Sequence, residues 1–186
     1  MTTFPVLTTA RLTLREIVID DADALCAIHD LSERMRWFGA DPLPDRAAAE
    51  SLVAMFAGWR QLADPGVRWG IQVTGRPELV GTCGFFGWHR RWKRCTVGYE
   101  LHGKVEGKGY MTEALRAVFT WGWREMDLNR IEAGVHPNNS ASLKLLQRLG
   151  FQREGLARQQ GFWRGEFHDM CQLALLREDW FAESAA

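Results

Sequence analysis

The chain has 186 residues, in which 23 lysines and arginines balance 23 aspartates and glutamates. This length is sufficient for one domain with a real core, so we expect a single domain over residues 1–186. The balanced charge excludes the overall basic footprint of a nucleic-acid-binding protein, and we expect no nucleic-acid partner.

Cysteine and histidine spacing predicts neither a disulfide framework nor a metal site. Four widely separated cysteines form no C-x-x-C pair, which indicates reduced thiols in a cytoplasmic protein: Cys26, Cys83, Cys95 and Cys171. The five histidines lack metal-ligand spacing. Residues 1–5 show no signal-peptide pattern, and the most apolar window, 52–59, is too short to span a bilayer, so we expect no membrane association.

Hydrophobic periodicity predicts a strand, two helices, three strands, a helix, a strand, a helix and two strands. The predicted strands are Arg11–Arg15, Trp69–Val73, Leu79–Trp88, Cys95–Tyr99, Arg130–Val135, Phe151–Gly155 and Met170–Leu176. The first two predicted helices begin at Asp20, with Leu25 and Ile28 inward, and after the cap Asp45, with Leu52, Phe56, Trp59 and Ala63 inward. The other two run from Met111 to about Asp127 and from after Ser140 to Gly150. The aromatic-rich segment Gln159–Asp169 is predicted to be a loop. This order is typical of a mixed α/β domain.

The segment from Val97 to Arg124 organises the chain. A strand ends in a loop with Gly103, Gly107 and Gly109, and a helix follows whose inward stripe is Met111, Leu115, Val118, Phe119, Gly122 and Met126. Glycines let the backbone approach a ligand closely, and a helix start presents unpaired N–H groups. The loop is therefore either an anion site suited to phosphate or a tight turn before an ordinary helix.

Two common nucleotide loops do not fit this segment. The phosphate loop of ATPases needs Ser or Thr after Gly-Lys, but Gly109 follows Lys108. The dinucleotide fingerprint needs a third glycine where Thr112 stands. The pattern Lys104-x-x-Gly107-x-Gly109 resembles motif A of the GCN5-related N-acetyltransferases (GNAT), with Lys104 in place of the usual Gln or Arg.

Other segments extend this resemblance from about Leu7 to Trp180. Asn139-x-x-Ser142 and Leu149-Gly150-Phe151 are similar to the stretch that follows motif A, and the opening Leu7–Arg15, the segment Gly161–Asp169 and the closing Leu175–Trp180 resemble the RimJ/RimL-type subgroup. The resemblance implies a mixed, mostly antiparallel twisted sheet flanked by helices and splayed between the Val97 and Arg130 strands. It also implies acetyl-CoA as co-substrate, with its pantetheine arm in that gap.

The resemblance assigns binding roles to a defined set of residues. The residues expected to bind acetyl-CoA are Tyr99, Glu100, Leu101, Lys104, Gly107, Lys108, Gly109, Tyr110, Met111, Asn139 and Ser142. Asn139 either caps its helix, binds acetyl-CoA, or does both.

The catalytic residues are less clear from sequence. Many relatives carry a tyrosine where this chain has Leu146, which leaves Ser142 to assist the departing thiolate or, alternatively, to bond at the helix start. RimL-type relatives carry a glutamate where Gln160 and Gly161 stand, so Glu100 and Glu132 are the nearest alternative bases. Strand alternation leaves open whether either glutamate faces the cleft. His168 and Asp169 either line an acceptor pocket or pair with each other and the backbone.

The resemblance implies direct transfer of an acetyl group to a primary amine. We expect a peptide or protein N-terminus, because an α-amine is less basic than a lysine and needs a weaker base. The alternatives are a small amine, such as an amino acid, polyamine or drug, and a non-catalytic acyl-CoA sensor. The sequence leaves open whether the protein is a monomer or a homodimer.

Overall fold

A computed structural model describes residues 3–29 and 35–183. Its strands form one eight-stranded sheet in the order β1-β2-β3-β4-β5-β6-β8-β7. The strands are β1 (Leu7–Thr8), β2 (Leu12–Glu16), β3 (Val67–Val73), β4 (Leu79–His89), β5 (Arg94–Leu101), β6 (Arg130–Val135), β7 (Gln152–Trp163) and β8 (Glu166–Leu176). The helices are α1 (Ala22–Ile28), α2 (Arg46–Gly58), α3 (Tyr110–Glu125), α4 (Ser140–Arg148) and α5 (Arg177–Glu183). Among these residues, no helix is both long and apolar enough to cross a membrane.

The sheet is antiparallel except between β5 and β6. These two strands run parallel and pair only at Arg94–Arg130, Cys95–Ile131 and Thr96–Glu132. From Val97 onward β5 has no partner on that side among the described strands, which leaves a gap between the two strands. The mixed, mostly antiparallel fold splayed at this position is thus confirmed.

Helices cover both faces of the sheet, as expected. On one face α3, α4 and α5 pack with the inward side chains of the strands around Trp69, Phe85 and Phe119. On the other face α1 and α2 form a smaller apolar cluster that includes Leu25, Val53 and Phe56.

The helix α3 confirms the predicted stripe. Residues spaced by three or four positions put one face against the core, and all six predicted inward residues are buried: Met111, Leu115, Val118, Phe119, Gly122 and Met126. The helix end predicted at Gly150 is also confirmed, because Gly150 follows the last turn of α4 with a left-handed φ of 87°.

The prediction of a loop over Gln159–Asp169 is wrong. These residues belong to the long β7–β8 hairpin, which turns at Arg164 and Gly165 with φ values of 53° and 75°. Two successive positive φ values match the twist of the flanking strands in a two-residue turn. The strand β7 lies at the sheet edge with most of its residues exposed, so it lacks the apolar alternation by which strands are recognised.

The inward face predicted for the second helix is partly wrong. The helix ends at Gly58 and continues as a 3-10 turn, so Ala63 lies beyond it and is exposed. The buried residues of this helix are Ala49, Val53 and Phe56. The buried position at the middle of the stripe is therefore Val53 and not the predicted Leu52. The short strand β1 and the helix α5 were not predicted, because neither is long enough to show a period.

Candidate functional site

A hydrogen bond between two hydroxyl groups links the two sides of the gap. Tyr99 lies on β5 beyond the last β5–β6 pair, and Ser142 lies in the first turn of α4. The Tyr99 hydroxyl oxygen and Ser142 Oγ are 2.6 Å apart, and either group can donate. Burial raises the pKa of Tyr99, and the Ser142 hydrogen bond only partly opposes this effect. Both hydroxyls therefore keep their protons at neutral pH. One hydroxyl donates the hydrogen bond and the other accepts it, and the accepting hydroxyl can still donate its own proton to a third group.

Asn139 caps the helix that carries Ser142. Its side-chain oxygen accepts a hydrogen bond from the Ser142 backbone N–H at 3.1 Å. Its side-chain nitrogen donates to the Trp37 carbonyl oxygen at 3.3 Å. The capping role is thus confirmed for Asn139, and the Ser142 hydroxyl takes no part in this cap. Binding of acetyl-CoA by Asn139 stays a prediction.

The glycine-spaced loop has the backbone geometry of an anion site. Gly107 and Gly109 have φ values of 74° and 78°, which side chains rarely adopt. Gly109 is the N-cap residue of the sixteen-residue helix α3 and provides no side-chain cap. The first N–H groups of α3 therefore stay available to a ligand together with the positive end of the helix dipole. This backbone suits the pyrophosphate of acetyl-CoA.

The remaining predicted binding residues surround this loop. Lys104 and Lys108 are exposed, whereas Met111 is buried in the core and offers a ligand only its backbone. Tyr110 is half-buried at the first position of α3, and Leu101 is the last residue of β5. The structure thus brings these residues together at the end of the gap, while their contacts with acetyl-CoA stay predictions.

Arg11 braces the loop and was not identified from the sequence. Its Nε donates to Glu113 Oε2 at 2.7 Å, and its Nη1 donates to the Lys108 carbonyl oxygen at 3.1 Å. The Thr9 hydroxyl donates to Glu113 Oε1 at 2.6 Å. Burial disfavours the charged form of Glu113, but the hydrogen bonds from Thr9 and Arg11 outweigh it and lower the pKa of Glu113. The first turn of α3 is therefore tied to the turn between β1 and β2.

Glu100 is buried among polar partners on the α1–α2 side of the sheet. Its carboxylate accepts hydrogen bonds from Arg68 and Thr82, and it lies 3.4 Å from His29 Nε2. Burial alone would raise the pKa of Glu100, but the charge of Arg68 and the bonds from His29 and Thr82 lower it. This carboxylate is already committed to partners within the fold. Its roles as a base and as a binding residue stay predictions.

Glu132 lies at the closed end of the gap. It is the β6 residue of the last β5–β6 pair, and its carboxylate forms ion pairs with Arg94 at 2.6 Å and Arg130 at 2.9 Å. Arg130 also pairs with Glu154 on β7. These contacts tie three strands together. A catalytic role for Glu132 stays a prediction.

Four rings form a cluster, which we call the aromatic cluster, where β6 ends: Trp37, His136, Trp163 and His168. Trp37 stacks on His136 with ring centroids 4.0 Å apart, and Trp163 stacks on His168 at 3.8 Å. The two imidazole centroids are 5.4 Å apart. Trp163 Nε1 also donates to the Arg36 carbonyl oxygen at 2.9 Å, which fixes the segment before α2 against the hairpin.

A cavity of about 300 Å³ opens beside this cluster. Its lining residues come from the segment before α2 and from the β7–β8 hairpin: Arg36, Trp37, Trp163, Arg164, Glu166 and His168. A short series of hydrogen bonds connects the cavity to the gap. The Trp37 carbonyl oxygen accepts a hydrogen bond from Asn139, and Asn139 caps the helix that carries Ser142. This position suits the second substrate of a group-transfer reaction.

The chain shows clear similarity to known acetyltransferases. Residues 11–152 match the family model described as acetyltransferase (GNAT) domain. The N-acetyltransferase YoaA of Bacillus subtilis is 36% identical over 166 residues, which are 89% of this chain and 93% of that one. The ribosomal protein uS5-alanine N-acetyltransferase of Escherichia coli is 36% identical over 104 residues, 55% of this chain and 54% of that one. Mycobacterium smegmatis RimJ in complex with CoA-disulfide shares the fold, with a TM-score of 0.78, 23% identity and coverage of 90% of this chain and 82% of that one.

The chain therefore belongs to the GNAT acetyltransferase family, and it is an acetyl-CoA-dependent N-acetyltransferase. The resemblance found in the sequence, including its RimJ/RimL-type relatives, is confirmed.

Proposed function

We propose that this enzyme acetylates the α-amine at the N-terminus of a peptide or protein. The observation that carries this proposal is the lining of the cavity at the aromatic cluster, which includes two arginines, Arg36 and Arg164, and one carboxylate, Glu166. A polyamine would meet more positive than negative side chains there. A peptide presents a single ammonium group followed by neutral backbone, which suits this lining better.

The basicity of the acceptor supports the same choice. An α-amine has a pKa of about 8 and a lysine side chain about 10.4, a difference of roughly 2.4 units or about 3.3 kcal/mol in the cost of deprotonation. An α-amine is thus partly neutral at physiological pH. The E. coli relative described as a uS5-alanine N-acetyltransferase is in keeping with this class of acceptor.

The residues around the gap have separate tasks in the proposed reaction. Acetyl-CoA supplies the acetyl group as a reactive thioester. The backbone of Gly107–Met111, with Lys104 and Lys108 nearby, holds the pyrophosphate, and the open edge of β5 at Tyr99–Leu101 hydrogen-bonds the pantetheine amides. The Tyr99–Ser142 pair donates a proton to the departing sulfur. Holding both substrates in one site converts a bimolecular step into an effectively unimolecular one.

We propose a cytoplasmic location for this reaction. All four cysteines are free, and three of them are buried, which suits a reducing compartment.

The experiment is a competition among three kinds of acceptor with acetyl-CoA. The panel contains peptides with a free N-terminus, the same peptides N-blocked with an internal lysine, and spermidine, and release of free thiol reports turnover. We expect the free N-terminus to be acetylated fastest. Equal or faster acetylation of the blocked peptides or of spermidine would refute the N-terminal assignment.

A further inference from the structure

His168 is half-buried, lines the cavity, and uses only one of its two ring nitrogens in a hydrogen bond within the described residues. Its Nε2 lies 3.2 Å from the Trp163 carbonyl oxygen. A carbonyl only accepts hydrogen bonds, so Nε2 carries the proton and donates it. In the neutral ring Nδ1 is then unprotonated, and within residues 3–29 and 35–183 it makes no hydrogen bond. We propose that His168 is the general base that takes a proton from the acceptor amine.

Trp163 fixes His168 and excludes a competing base from the opposite strand. Gly161 is the cross-strand partner of His168. A Cβ at Gly161 would lie 2.3 Å from the Trp163 ring, so the indole occupies the space that a side chain there would need. The same indole is stacked on the imidazole. Of the cross-strand pair Gly161 and His168, only His168 can therefore supply a base at the cavity.

The indole faces are not arranged to bind an ammonium group by cation–π contact. His136 covers one side of the Trp37 ring, and the guanidinium of Arg36 also lies over that ring, 4.6 Å from its centroid. The Trp163 ring is covered by His168 and by the backbone at Gly161. What the cluster offers an ammonium group is the edge of an imidazole, which suits proton transfer.

His136 is not equivalent to His168, although their rings are neighbours. The His136 Nδ1 accepts a hydrogen bond from the Asn138 backbone N–H at 3.0 Å, so this nitrogen is already occupied. Burial, and then the charges of His168 and Arg36, lower the pKa of His136, whereas Asp169 acts in the opposite direction. Of the two imidazoles, His168 is thus the one with a ring nitrogen that makes no hydrogen bond within the described residues.

The proton balance of the reaction is complete with this assignment. The ammonium group gives one proton to Nδ1 of His168, and the freed lone pair forms the C–N bond with the thioester carbonyl carbon. The C–S bond breaks with its electrons on sulfur. Of the two protons left on the nitrogen, one stays in the amide N–H and the other replaces the proton that Tyr99 or Ser142 donates to sulfur. The imidazolium then releases its proton to solvent. The proposal rests on amine acetylation by this family, and it does not depend on which amine is used.

The test replaces His168 with glutamine. The Gln side chain can still donate an N–H to the Trp163 carbonyl oxygen, but it cannot accept a proton. General bases typically contribute 10²–10⁴-fold, so H168Q should lower kcat at least about a hundredfold at pH 7 with the KM for acetyl-CoA unchanged. The matched control is Phe167→Leu, the adjacent residue, which is 65% exposed and contacts Phe162 instead of the cavity. It should stay within about twofold of wild type.

The pH dependence separates a base from a packing residue. The titratable and charged groups around His168 are His136 at the end of β6, Arg36 before α2, and Arg164, Glu166 and Asp169 on its own hairpin. Above the α-amine pKa of about 8 the acceptor is already neutral. The ratio of the wild-type kcat to the H168Q kcat should therefore fall as the pH is raised through this value. A ratio that is constant with pH, or a loss that appears in Glu166→Gln instead, would overturn the assignment.

A second measurement does not depend on activity. In ¹⁵N spectra of histidine-labelled protein, the signals lost in H168Q should show a protonated Nε2 and an unprotonated Nδ1. The opposite tautomer would also overturn the proposal. If the peptides are not acetylated at all, the N-terminal assignment fails, and the comparison is made with the lysine peptide or spermidine from the same panel.

Discussion

Replacing Gly109 with aspartate tests whether the loop holds the pyrophosphate of acetyl-CoA. Gly109 has a φ of 78° at the N-cap of α3, and a Cβ there would meet only the Arg11 guanidinium, at 3.5 Å. The steric cost of this Cβ is small. Most residues lose about 1–2 kcal/mol in a left-handed backbone conformation, and Asp and Asn lose less because they tolerate positive φ. A carboxylate also suits a helix N-terminus. Gly109→Asp should therefore fold, with a Tm close to that of Gly109→Asn.

The two variants should differ in affinity for acetyl-CoA. A carboxylate about 5 Å from one phosphate charge costs about 3 kcal/mol at an effective dielectric of about 20. Solvent and salt screen this exposed loop, so we expect at least about 1.4 kcal/mol, or about tenfold weaker binding for the Asp variant than for the Asn variant. Calorimetric titration with acetyl-CoA at two salt concentrations measures both affinities, and the difference should shrink at high salt. Equal affinities at low salt would show that the phosphates lie elsewhere.

Two further predictions concern the hydroxyl pair and the buried carboxylate. Ser142→Ala and Tyr99→Phe should each lower turnover with little change in the KM for acetyl-CoA. Because the two hydroxyls act as a unit, the turnover of the double variant should be no lower than that of either single variant. Additive losses in steady-state kinetics would contradict this. Glu100→Gln should lower the free energy of unfolding at pH 7 by about 3–5 kcal/mol, since it leaves Arg68 buried without its counter-ion, and the double change Arg68→Met/Glu100→Leu should recover most of it. The lowered pKa of Glu100 means that its stabilisation is present above the ordinary value of 4.5 and is lost as the pH falls through the lower folded-state value. Thermal melts between neutral and acidic pH should thus show a steeper acid loss in wild type than in Glu100→Gln, and parallel curves would refute the linkage.

Local patterns were sufficient to predict the part of the fold that forms from neighbouring residues. The α3 stripe, the helix end at Gly150, and the cap at Asn139 each depend on a few consecutive residues. The part of β7 from Gln159 to Trp163 could not be found in this way, because an exposed edge strand is defined by its pairing with β8 and not by its own alternation.

The candidate site depends on contacts between distant parts of the chain. Tyr99 and Ser142 are 43 residues apart, and the bond from Trp163 to the Arg36 carbonyl spans 127 residues. The direction of the Glu100 side chain is set by buried partners on β3 and β4, which strand alternation alone could not choose. The sequence therefore located the glycine-spaced loop, which we propose as the cofactor site, but not the aromatic cluster.

The short pairing between β5 and β6 also separates the strands that precede α3 in the sequence from those that follow it. All strands before α3 lie on one side of this three-pair seam, and all strands after it lie on the other. Each half of the sheet is thus built from one continuous stretch of chain, with the glycine loop in the first half and the β7–β8 hairpin in the second. We expect recombination near Asp127–Asn129 to exchange the half that carries the hairpin while the strand register within the other half is preserved. The cavity at the aromatic cluster takes side chains from both halves, because Arg36 and Trp37 precede α3 in the chain whereas Trp163 and His168 follow it.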